Sequence, residues 1–445
     1  METYGCSLNL SDTEFMEARL LESGFRPASS PEAADVAIIN TCTVKERTWL
    51  NFLKRLKFYD KLRSRKGKGG RPALVIAGCI PAAMPEHPAI QPFVLIGPGS
   101  VSDIGDAAQA ALEGVSYKSL KLRQDSARLN LSVKSKYDVI SIIPIAAGCL
   151  GNCAYCQTRL ARGSLYSYGI ADIVSHAEKA LSLGARELWL TAQDTGAWGK
   201  DLGKQLPDLL RALLEIGGRF RVRLGMANPN HVLDFLDELM GIFEDDRMYR
   251  FMHLPLQSGS DTVLSAMNRR YSSSQFLSIC RRIREFDERF SLATDIIAGF
   301  PGETETDFQK TLDLLKEVRP AVVNRSRFSA RPFTEAAEMD GYPHRIISDR
   351  SRRLSRLVEK ISLEENQKWI GETQEVLVDL QKRKDSVISR NSYYKSTIIN
   401  LTGHLENDKR FLKPGHFIEV RIIDAEIYHL KGEPEREKGK KTPSK

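Results

Sequence analysis

The sequence predicts an α/β protein of three domains: an N-terminal α/β domain with a parallel sheet, a central β/α partial barrel and a small C-terminal β barrel. Three observations support this fold class. Residues 1–114 alternate apolar strands with helices, residues 139–370 repeat that alternation after a cysteine-rich loop, and residues 371–433 change to short alternating strands with Gly and Asn turns. The length of 445 residues fits this division, because a domain takes roughly 150 residues.

The N-terminal domain, residues 1–114, contains three predicted strands that each lead to a cysteine. The N-terminal cysteines are Cys6 after residues 2–4, Cys42 after residues 36–39 and Cys79 after residues 73–77. Their separations of 36 and 37 residues correspond to one strand–helix unit each. Because parallel strands end at a common sheet edge, where ligand sites gather, we expect the three thiols to converge. Three unrelated buried cysteines are the alternative.

The central domain, residues 139–370, follows a basic, polar segment at residues 115–138 that is predicted to be a linker. Its strands alternate with helices, which indicates a β/α array, and a long amphipathic helix follows the last strand. The predicted strands lie at residues 139–145, 188–190, 220–224, 251–254, 291–298 and 321–328.

The sharpest chemical signal is a loop directly after the first of these strands. The central cysteines, Cys149, Cys153 and Cys156, have the spacing C-x3-C-x2-C, and with seven cysteines in 445 residues coincidence is a poor explanation. Three thiolates from one loop suit an iron–sulfur cluster with one iron left open. Structural zinc is the alternative, although it takes four ligands and no second cysteine pair lies nearby. Cys280, inside a helical pattern, is predicted to be a core residue.

The composition narrows the class of protein. The hydrophobic content of 42% is ordinary for a globular chain, and no run of about 18 apolar residues is present, so we predict no membrane association. The first residues lack the basic and apolar regions of a secretory signal, so a cytoplasmic protein with reduced cysteines is expected. The formal charge of +8 permits nucleic-acid binding without establishing it.

The central loop resembles that of the radical S-adenosylmethionine superfamily, whose fold is a partial TIM barrel. Together with the residues around the N-terminal cysteines, it resembles the methylthiotransferase family of that superfamily. The resemblance covers nearly the whole chain in family order, and the C-terminal domain, residues 371–433, is similar to the RNA-binding TRAM domain, with a charged tail at residues 434–445. The matching segments are Thr3-Tyr4-Gly5-Cys6, Asn40-Thr41-Cys42, Gly78-Cys79, Ala161-Arg162-Gly163, His253 to Ser260, Met267 to Tyr271 and Gly299 to Thr304.

The resemblance implies two [4Fe–4S] clusters and S-adenosylmethionine as cofactors. The central cysteines would hold the cluster whose open iron binds S-adenosylmethionine. One-electron reduction would then cleave it to methionine and a 5′-deoxyadenosyl radical. The N-terminal cysteines would hold an auxiliary cluster that carries the sulfur to be inserted. The implied partners are a tRNA substrate, a reducing electron donor and a sulfur source, and a monomer is expected.

The resemblance implies roles for other site residues, and each of these roles has a structural alternative. Tyr155 would flank the adenine of S-adenosylmethionine, or would pack as an ordinary aromatic. Gln193 and Asp194 follow a strand and would bind cofactor or substrate, or would cap the next segment. No protein acid or base is assigned a catalytic role, since His253 is expected to be a core histidine and Glu303 to belong to a turn that lines the cofactor.

The resemblance also suggests the substrate. Family members act on an adenosine beside the tRNA anticodon or on an aspartate of a ribosomal protein. Residues 3–6 look like those of the tRNA-acting groups. Residues 192–199 and 324–339 look most like the archaeal and eukaryotic branch, which adds a methylthio group to carbon 2 of N6-threonylcarbamoyladenosine. Isopentenyladenosine in tRNA and the ribosomal aspartate are the alternatives. Two further classes stay open: another radical enzyme, which has no need of the N-terminal cysteines, and an iron–sulfur RNA-binding protein without catalysis.

Two features of the C-terminal half bear on RNA binding and loop geometry. Basic residues at 382–384, 395, 409–410 and 413 are predicted RNA contacts, with Tyr393 and Tyr394 between them as base-stacking groups. A solvated barrel surface is the alternative, because acidic residues dilute this charge.

Phe333 stands where the family usually has Gly, which leaves the geometry of its loop open.

Overall fold

The computed structural model describes residues 1–44, 46–65, 72–122, 128–129, 139–379, 386–400 and 413–435. Within these ranges the chain forms a five-stranded parallel sheet, two three-stranded parallel sheets and a closed β barrel, in that order. The predicted fold class is confirmed. None of the described helices combines the length and apolarity that crossing a bilayer requires.

The N-terminal sheet has its five strands in chain order, all parallel. Its two central strands are almost wholly buried, with one pair of helices on each face: α1 and α4 on one, α2 and α3 on the other. The elements are β1 (Glu2–Thr3), α1 (Ser7–Glu22), β2 (Val36–Thr41), α2 (Glu46–Arg65), β3 (Ala73–Gly78), α3 (Cys79–Ala83), β4 (Val94–Ile96), α4 (Ile104–Glu113) and β5 (Lys118–Ser119).

The sheet extends into the segment predicted to be a linker. Strand β5 lies at residues 118–119 and pairs with β4, so the N-terminal domain continues past residue 114. Arg128 and Leu129, also within that segment, are buried. The segment was predicted to be a linker because its composition is basic and polar. An edge strand of two residues is too short to leave a recognisable pattern in such a sequence. Residues 123–127 and 130–138 of the predicted linker lie outside the described part of the chain.

The central domain begins with three short strands and two helices around the cysteine loop. They are β6 (Ile140–Pro144), β7 (Ala146–Ala147), α5 (Thr158–Arg162), β8 (Tyr166–Ser167) and α6 (Ile170–Ser182). The array then continues with β9 (Glu187–Thr191), α7 (Leu206–Leu214), β10 (Arg221–Leu224), α8 (Pro229–Val232), α9 (Leu236–Ile242), β11 (Phe251–His253), α10 (Asp261–Ala266), α11 (Ser273–Phe286), β12 (Ser291–Ala298), α12 (Glu305–Val318), β13 (Val322–Arg327) and α13 (His344–Gln367).

Six parallel strands of this domain form an open array in the order β6-β9-β10-β11-β12-β13. The two three-stranded sheets are joined by single parallel bridges, Val222 with Met248 and Met226 with His253. An open, six-stranded array of this kind is a partial barrel. Cys280, predicted to be a core residue, is 3% exposed and packs within the main hydrophobic core.

The C-terminal barrel consists of five strands in the closed order β14-β15-β16-β18-β17. Alternate residues of β15 point into the barrel, as the alternating sequence pattern predicts. The strands are β14 (Thr373–Val378), β15 (Ser386–Asn391), β16 (Ser396–Asn400), β17 (Phe417–Ala425) and β18 (Leu430–Pro434).

The turn between β15 and β16 attaches the barrel to the central domain. The Tyr394 ring packs against Phe251 at 4.7 Å between centroids, and the Tyr393 ring lies 4.8 Å from Trp369. Tyr393 also donates its hydroxyl to Asp287 at 3.0 Å. The prediction that Tyr394 stacks on an RNA base is therefore wrong, because its ring packs against Trp189, Tyr249 and Phe251 of the central domain. Tyr393 is half-buried, and its stacking role stays a prediction. A local sequence pattern cannot show this contact.

The basic residues predicted to contact RNA fall into three groups. Lys395 is half-buried in the interdomain contact and donates to the Asn366 side chain at 2.6 Å, so its ammonium group is paired within the protein. Lys413 is exposed. Residues 382–384 and 409–410 lie outside the described residues.

Replacing Lys395 with methionine is expected to remove a pH dependence of stability. Burial, with Arg284 and Lys368 nearby, lowers the pKa of Lys395 to about 8, although Glu365 opposes the shift. The unfolded chain therefore binds more protons between this value and the ordinary lysine pKa of about 10.4, and stability rises with pH across that window. Relative to Lys395→Met, the wild type should gain about 2 kcal/mol between about pH 7 and about pH 9.5, measured by urea unfolding. Equal pH profiles for the two proteins would contradict the assignment.

Candidate functional site

The structure brings the three N-terminal cysteines together at one edge of the first sheet. Cys6 caps α1, Cys42 directly follows β2, and Cys79 begins α3. Strands β1, β2 and β3 are neighbours, so these positions are adjacent. The Cys42 thiol interacts with the thiols of both Cys6 and Cys79. The spacing argument therefore predicted the geometry correctly.

The surroundings of these thiols favour ionisation of two of them. Contact with Cys42 lowers the pKa of Cys6 to about 6 and of Cys79 to about 7; burial opposes both shifts and the guanidinium of Arg162 reinforces them. The pKa of Cys42 is raised by the same two contacts. Because the thiolate is the form that binds metal, this group of donors fits a metal cluster.

Local backbone geometry explains why the chain turns at these cysteines. Gly78, before Cys79, has a φ of 93°, and a Cβ there would overlap the Asn40 side chain and the Thr41 carbonyl. Asn40 is fully buried and donates to the Asn9 carbonyl at 2.8 Å, which attaches α1 to β2. Only glycine tolerates this combination of dihedral angle and close approach.

The central cysteines lie in one loop after β7, and each sulfur has a polar contact. The Gly151 backbone N–H donates to Cys149 Sγ at 3.2 Å and the Thr158 N–H donates to Cys156 Sγ at 3.4 Å. Arg269 Nη1 donates to Cys153 Sγ at 3.1 Å. Without a metal, burial raises the pKa of Cys149 to about 12 and also raises that of Cys156.

The two cysteine sets are donor sets of the kind that iron–sulfur clusters use. In the described part of the chain, no three His, Cys, Asp or Glu side chains are arranged to hold one metal ion. In a [4Fe–4S] cluster each cysteine binds a different iron, so the ligands need not converge on a single point. Each set supplies three thiolates, which are soft ligands suited to such clusters. Each set also has an arginine nearby, Arg162 for the N-terminal cysteines and Arg269 for the central cysteines.

A hydrogen-bond network connects the central cysteines to the ends of the barrel strands. Arg269 donates to Cys153 and to the Asn228 side-chain oxygen. Asn228 donates in turn to Asp194, from its backbone at 3.0 Å and from its side chain at 3.0 Å. Residues after β9, β10 and β11 are thereby tied to the cysteine loop. The sequence analysis missed Arg269, although it belongs to the quoted segment from Met267 to Tyr271.

Gln193 and Asp194, the predicted polar pair, have different environments in the structure. Asp194 is 2% exposed, and its oxygens accept from Asn228 and from the Gly196 N–H, so it caps the short helix at residues 195–197. This geometry favours the capping interpretation for Asp194. Gln193 differs, because its Oε1 is buried without a hydrogen-bond partner in the described structure. An acceptor in this position suits a cofactor or substrate donor.

Tyr155 lies in the cysteine loop and packs in a small cluster with Ala154 and Phe300. Its ring meets that of Phe300 edge-on, with 6.4 Å between centroids. Burial raises the pKa of its hydroxyl well above the ordinary value. The contacts agree with a packing aromatic at the wall of the site, and they leave its adenine-flanking role a prediction.

His253, expected to be a core histidine, instead belongs to a polar group in the partial barrel. Its Nε2 lies 3.0 Å from Asp295, and Asn324 donates to the other Asp295 oxygen at 2.8 Å. The three residues come from the neighbouring strands β11, β12 and β13, and each is half-buried. The expectation failed because a single strand does not reveal which side faces the barrel interior. The sequence did contain one indication of this polar group, because Asp295 is a charged residue within the largely apolar strand β12.

Glu303 ends the turn that was expected to line the cofactor. It is 1% exposed and accepts from the Gly299 N–H at 2.8 Å and from Arg350 at 2.9 Å. Burial raises its pKa to about 7. Its oxygens are used within the turn and by α13, which is a structural role.

A cavity of about 210 Å³ lies between the N-terminal and central domains. It reaches Cys42 on one side and Gln157, the neighbour of Cys156, on the other. The Trp49 and His87 rings meet edge-on in its wall at 4.8 Å. It therefore opens between the segments that carry the two cysteine sets. The remaining lining residues are Thr43, Ile80, Met84, Ser329, Ala330, Arg331 and Pro332.

Phe333, at the end of the loop that lines this cavity, retains a backbone conformation that favours glycine. Its φ is 63° and its ring is 74% exposed. The sequence left the geometry of this loop open. In the structure the backbone of Phe333 is left-handed, which costs conformational strain for a residue with a Cβ. Gln157 donates to the preceding Pro332 carbonyl at 2.9 Å, which fixes the loop to the cysteine segment.

Replacing Phe333 with glycine is expected to raise the free energy of unfolding by about 0.5–1 kcal/mol, because glycine adopts a positive φ without strain. Phe333→Ala is the matched control, since it removes the exposed ring but keeps the Cβ that causes the strain. Chemical unfolding of both variants measures the effect. If alanine stabilises as much as glycine, the exposed ring and not the backbone is responsible.

Comparison with known proteins is consistent with this geometry. Residues 1–93 match the family described as uncharacterized protein family UPF0004, and residues 143–315 match the radical SAM superfamily. The chain is similar to the probable threonylcarbamoyladenosine tRNA methylthiotransferase of Pyrococcus horikoshii, with 37% identity over 97% of this chain and 98% of the relative. It is also similar to the threonylcarbamoyladenosine tRNA methylthiotransferase of Homo sapiens, with 34% identity over 100% of this chain and 75% of the relative.

Solved structures add support for the fold alone. The radical S-adenosylmethionine methyltransferase of Kitasatospora setae, determined with cobalamin and a [4Fe–4S] cluster bound, aligns with a TM-score of 0.51 and 14% identity. The alignment covers 75% of this chain and 73% of that one.

Proposed function

Because this chain belongs to the family of threonylcarbamoyladenosine tRNA methylthiotransferases, we propose that it adds a methylthio group to carbon 2 of N6-threonylcarbamoyladenosine next to the anticodon of tRNA. The observation that carries this proposal is the identity of 34–39% to such enzymes over nearly the full chain. The enzyme would act in the cytoplasm as a monomer, with a reducing electron donor and a sulfur source as further partners.

The proposed cofactors are two [4Fe–4S] clusters and S-adenosylmethionine. The donor sets support this, because three thiols converge at the N-terminal sheet edge and three lie in the central loop. When bound, these groups supply the radical chemistry at the central domain and the sulfur at the N-terminal domain. The protein supplies the ligands, their hydrogen bonds and a site shielded from water.

The chain's own residues are proposed to bind and orient these groups. Arg269 holds Cys153 through its 3.1 Å contact and is itself oriented by Asn228. The buried, unpartnered Oε1 of Gln193 supports a role in binding S-adenosylmethionine, and Tyr155 would form part of the same wall. Asp194 would act indirectly, by positioning Asn228.

The substrate base is proposed to enter the cavity between the domains. The position of the cavity supports this proposal, since the cavity reaches Cys42 and Gln157, the residue after Cys156. A substrate carbon that receives sulfur from one cysteine set and is activated by the other has to lie between them. The aromatic rings of Trp49 and His87 in the cavity wall offer a surface for a purine.

Nucleoside mass spectrometry of tRNA tests this proposal. In cells that lack this gene, the 2-methylthio form of N6-threonylcarbamoyladenosine is expected to disappear while its precursor accumulates. The wild-type gene should restore it. If the modified nucleoside persists in the deletion strain, the substrate assignment is wrong, and loss of methylthiolated isopentenyladenosine or of the ribosomal-protein modification would identify the alternative.

A further inference from the structure

The interface between the first two domains contains three buried charged groups. Arg162, the last residue of α5, donates to Asp12 of α1 at 2.6 Å. Arg128 donates to the other oxygen of the same carboxylate. The three residues are 1–3% exposed, so water does not screen their charges. Burial in a protein interior makes such charges costly unless they are balanced.

The charges of this group do not balance. Asp12 is the one carboxylate that forms an ion pair with either arginine in the described part of the chain. One negative charge therefore faces two positive charges, and one positive charge remains. A buried excess charge of this kind needs an anion nearby.

The N-terminal cysteines offer negative charge to this group. Arg162 interacts electrostatically with both Cys6 and Cys79, and each thiol in turn favours the charged form of the guanidinium. The adjoining residue, Ala161, packs in the same hydrophobic cluster as Cys79 and Ile80. A residue of the central domain thus lies against the N-terminal cysteines.

A second observation points to a bound group at this place. Nη1 of Arg162 is buried and has no hydrogen-bond partner, although its Nη2 is paired with Asp12. Nε and Nη1 of Arg128 are also without partners, but of the two arginines it is Arg162 that contributes to the main electrostatic interactions of Cys6 and Cys79. A buried guanidinium N–H without an acceptor is rare in folded proteins. Sulfur held by the N-terminal cysteines would supply both the missing acceptor and the missing negative charge.

We propose that Arg162 donates through Nη1 to the N-terminal iron–sulfur cluster and balances its negative charge, so that a residue of the central domain tunes the reduction potential of the cluster in the other domain. This inference rests on the proposed function, which places a cluster there. A [4Fe–4S]²⁺ core with three thiolates has one net negative charge, which matches the one excess positive charge of the Arg162–Asp12–Arg128 group. Hydrogen bonds and nearby charge are established determinants of cluster potentials.

The expected effect has a definite sign. Reduction adds an electron to the cluster, and a nearby cation stabilises the more negative state. Arg162→Gln should therefore make the N-terminal cluster harder to reduce, with a shift of at least tenfold in the reduction equilibrium, which is about 59 mV for a one-electron couple. Arg162→Lys keeps the charge and should recover most of the wild-type value. Arg128→Gln alters the ion group away from the thiols and should shift the equilibrium less than Arg162→Gln.

The experiment uses the full-length chain, reconstituted with iron and sulfide, in which all three central cysteines are alanine so that only the N-terminal cluster remains. Redox titration followed by electron paramagnetic resonance gives its midpoint. Equal midpoints for the parent and Arg162→Gln would overturn the inference. A parent protein that binds no four-iron cluster at all would instead contradict the proposed function.

A second measurement does not depend on how well the glutamine variant folds. With ¹⁵N-labelled arginine, the reduced N-terminal cluster should show a hyperfine coupling to a guanidinium nitrogen in pulsed electron paramagnetic resonance. The coupling should be absent in Arg162→Lys and present in Arg128→Gln. If the labelled parent protein shows no nitrogen coupling, the proposed hydrogen bond does not exist.

Discussion

Replacing Cys42 with alanine is expected to abolish methylthiolation of tRNA while S-adenosylmethionine is still cleaved to 5′-deoxyadenosine. Cys42 lies at the N-terminal sheet edge, whereas the central cysteines form a separate loop with their own hydrogen bonds. Loss of one ligand should remove the N-terminal cluster and lower the iron content from about eight to about four per chain. Product formation should fall more than about 100-fold, as measured by nucleoside mass spectrometry of the reconstituted reaction.

Two variants complete this experiment. Cys153→Ala is expected to lose both activities, because the cleavage site itself loses a ligand. Cys280→Ala is the matched control, since Cys280 is buried in the hydrophobic core away from both sets and should keep full iron content. If Cys42→Ala still forms the methylthio product, a cluster held by the N-terminal cysteines does not carry the sulfur. If it forms no 5′-deoxyadenosine, the two sites are not separable as proposed.

The second large effect concerns stability. Asp12→Asn is expected to lower the free energy of unfolding by about 3–5 kcal/mol, because it leaves two buried guanidinium groups without their carboxylate. Arg162 and Arg128 hold the pKa of Asp12 below its usual range despite the opposing effect of burial, so this carboxylate is ionised in the folded protein. Anaerobic urea unfolding of the reconstituted enzyme measures the change.

The same helix provides a matched control for this prediction. Glu22, near the end of α1, pairs with Arg19 at 2.7 Å on the exposed surface. Glu22→Gln should change stability by less than about 1 kcal/mol, because exposed ion pairs are worth little. A similar small effect for Asp12→Asn would mean that water or another group compensates for the two arginines.

Much of the fold and the positions of all six proposed cluster ligands follow from local sequence patterns. Strands that end at Cys6, Cys42 and Cys79 could be recognised from apolar runs, and the parallel arrangement then placed the thiols together. The C-x3-C-x2-C loop is compact in sequence, so its geometry needed no knowledge of the rest of the chain. These features depend on short stretches of residues, which is why the sequence predicted them.

The features that sequence analysis missed depend on contacts between distant parts of the chain. Arg162 and Asp12 are 150 residues apart, and Tyr394 contacts Phe251 from a different domain. Nothing in the periodicity around Tyr394 distinguishes a ring that binds RNA from one that packs on a neighbouring domain. His253 illustrates the same limit within one domain, because its partner Asp295 lies on another strand.

Helix α5 gives the enzyme a fixed separation between its two cysteine sets. Cys156 belongs to one set, and Arg162, six positions later, interacts electrostatically with two thiols of the other. An α-helix rotates by about 100° and advances by about 1.5 Å with each residue. Inserting or deleting a single residue between Cys156 and Arg162 would therefore turn the arginine away from the N-terminal thiols while leaving all six cysteines in the sequence. The length of this segment therefore determines whether Arg162 faces the N-terminal thiols.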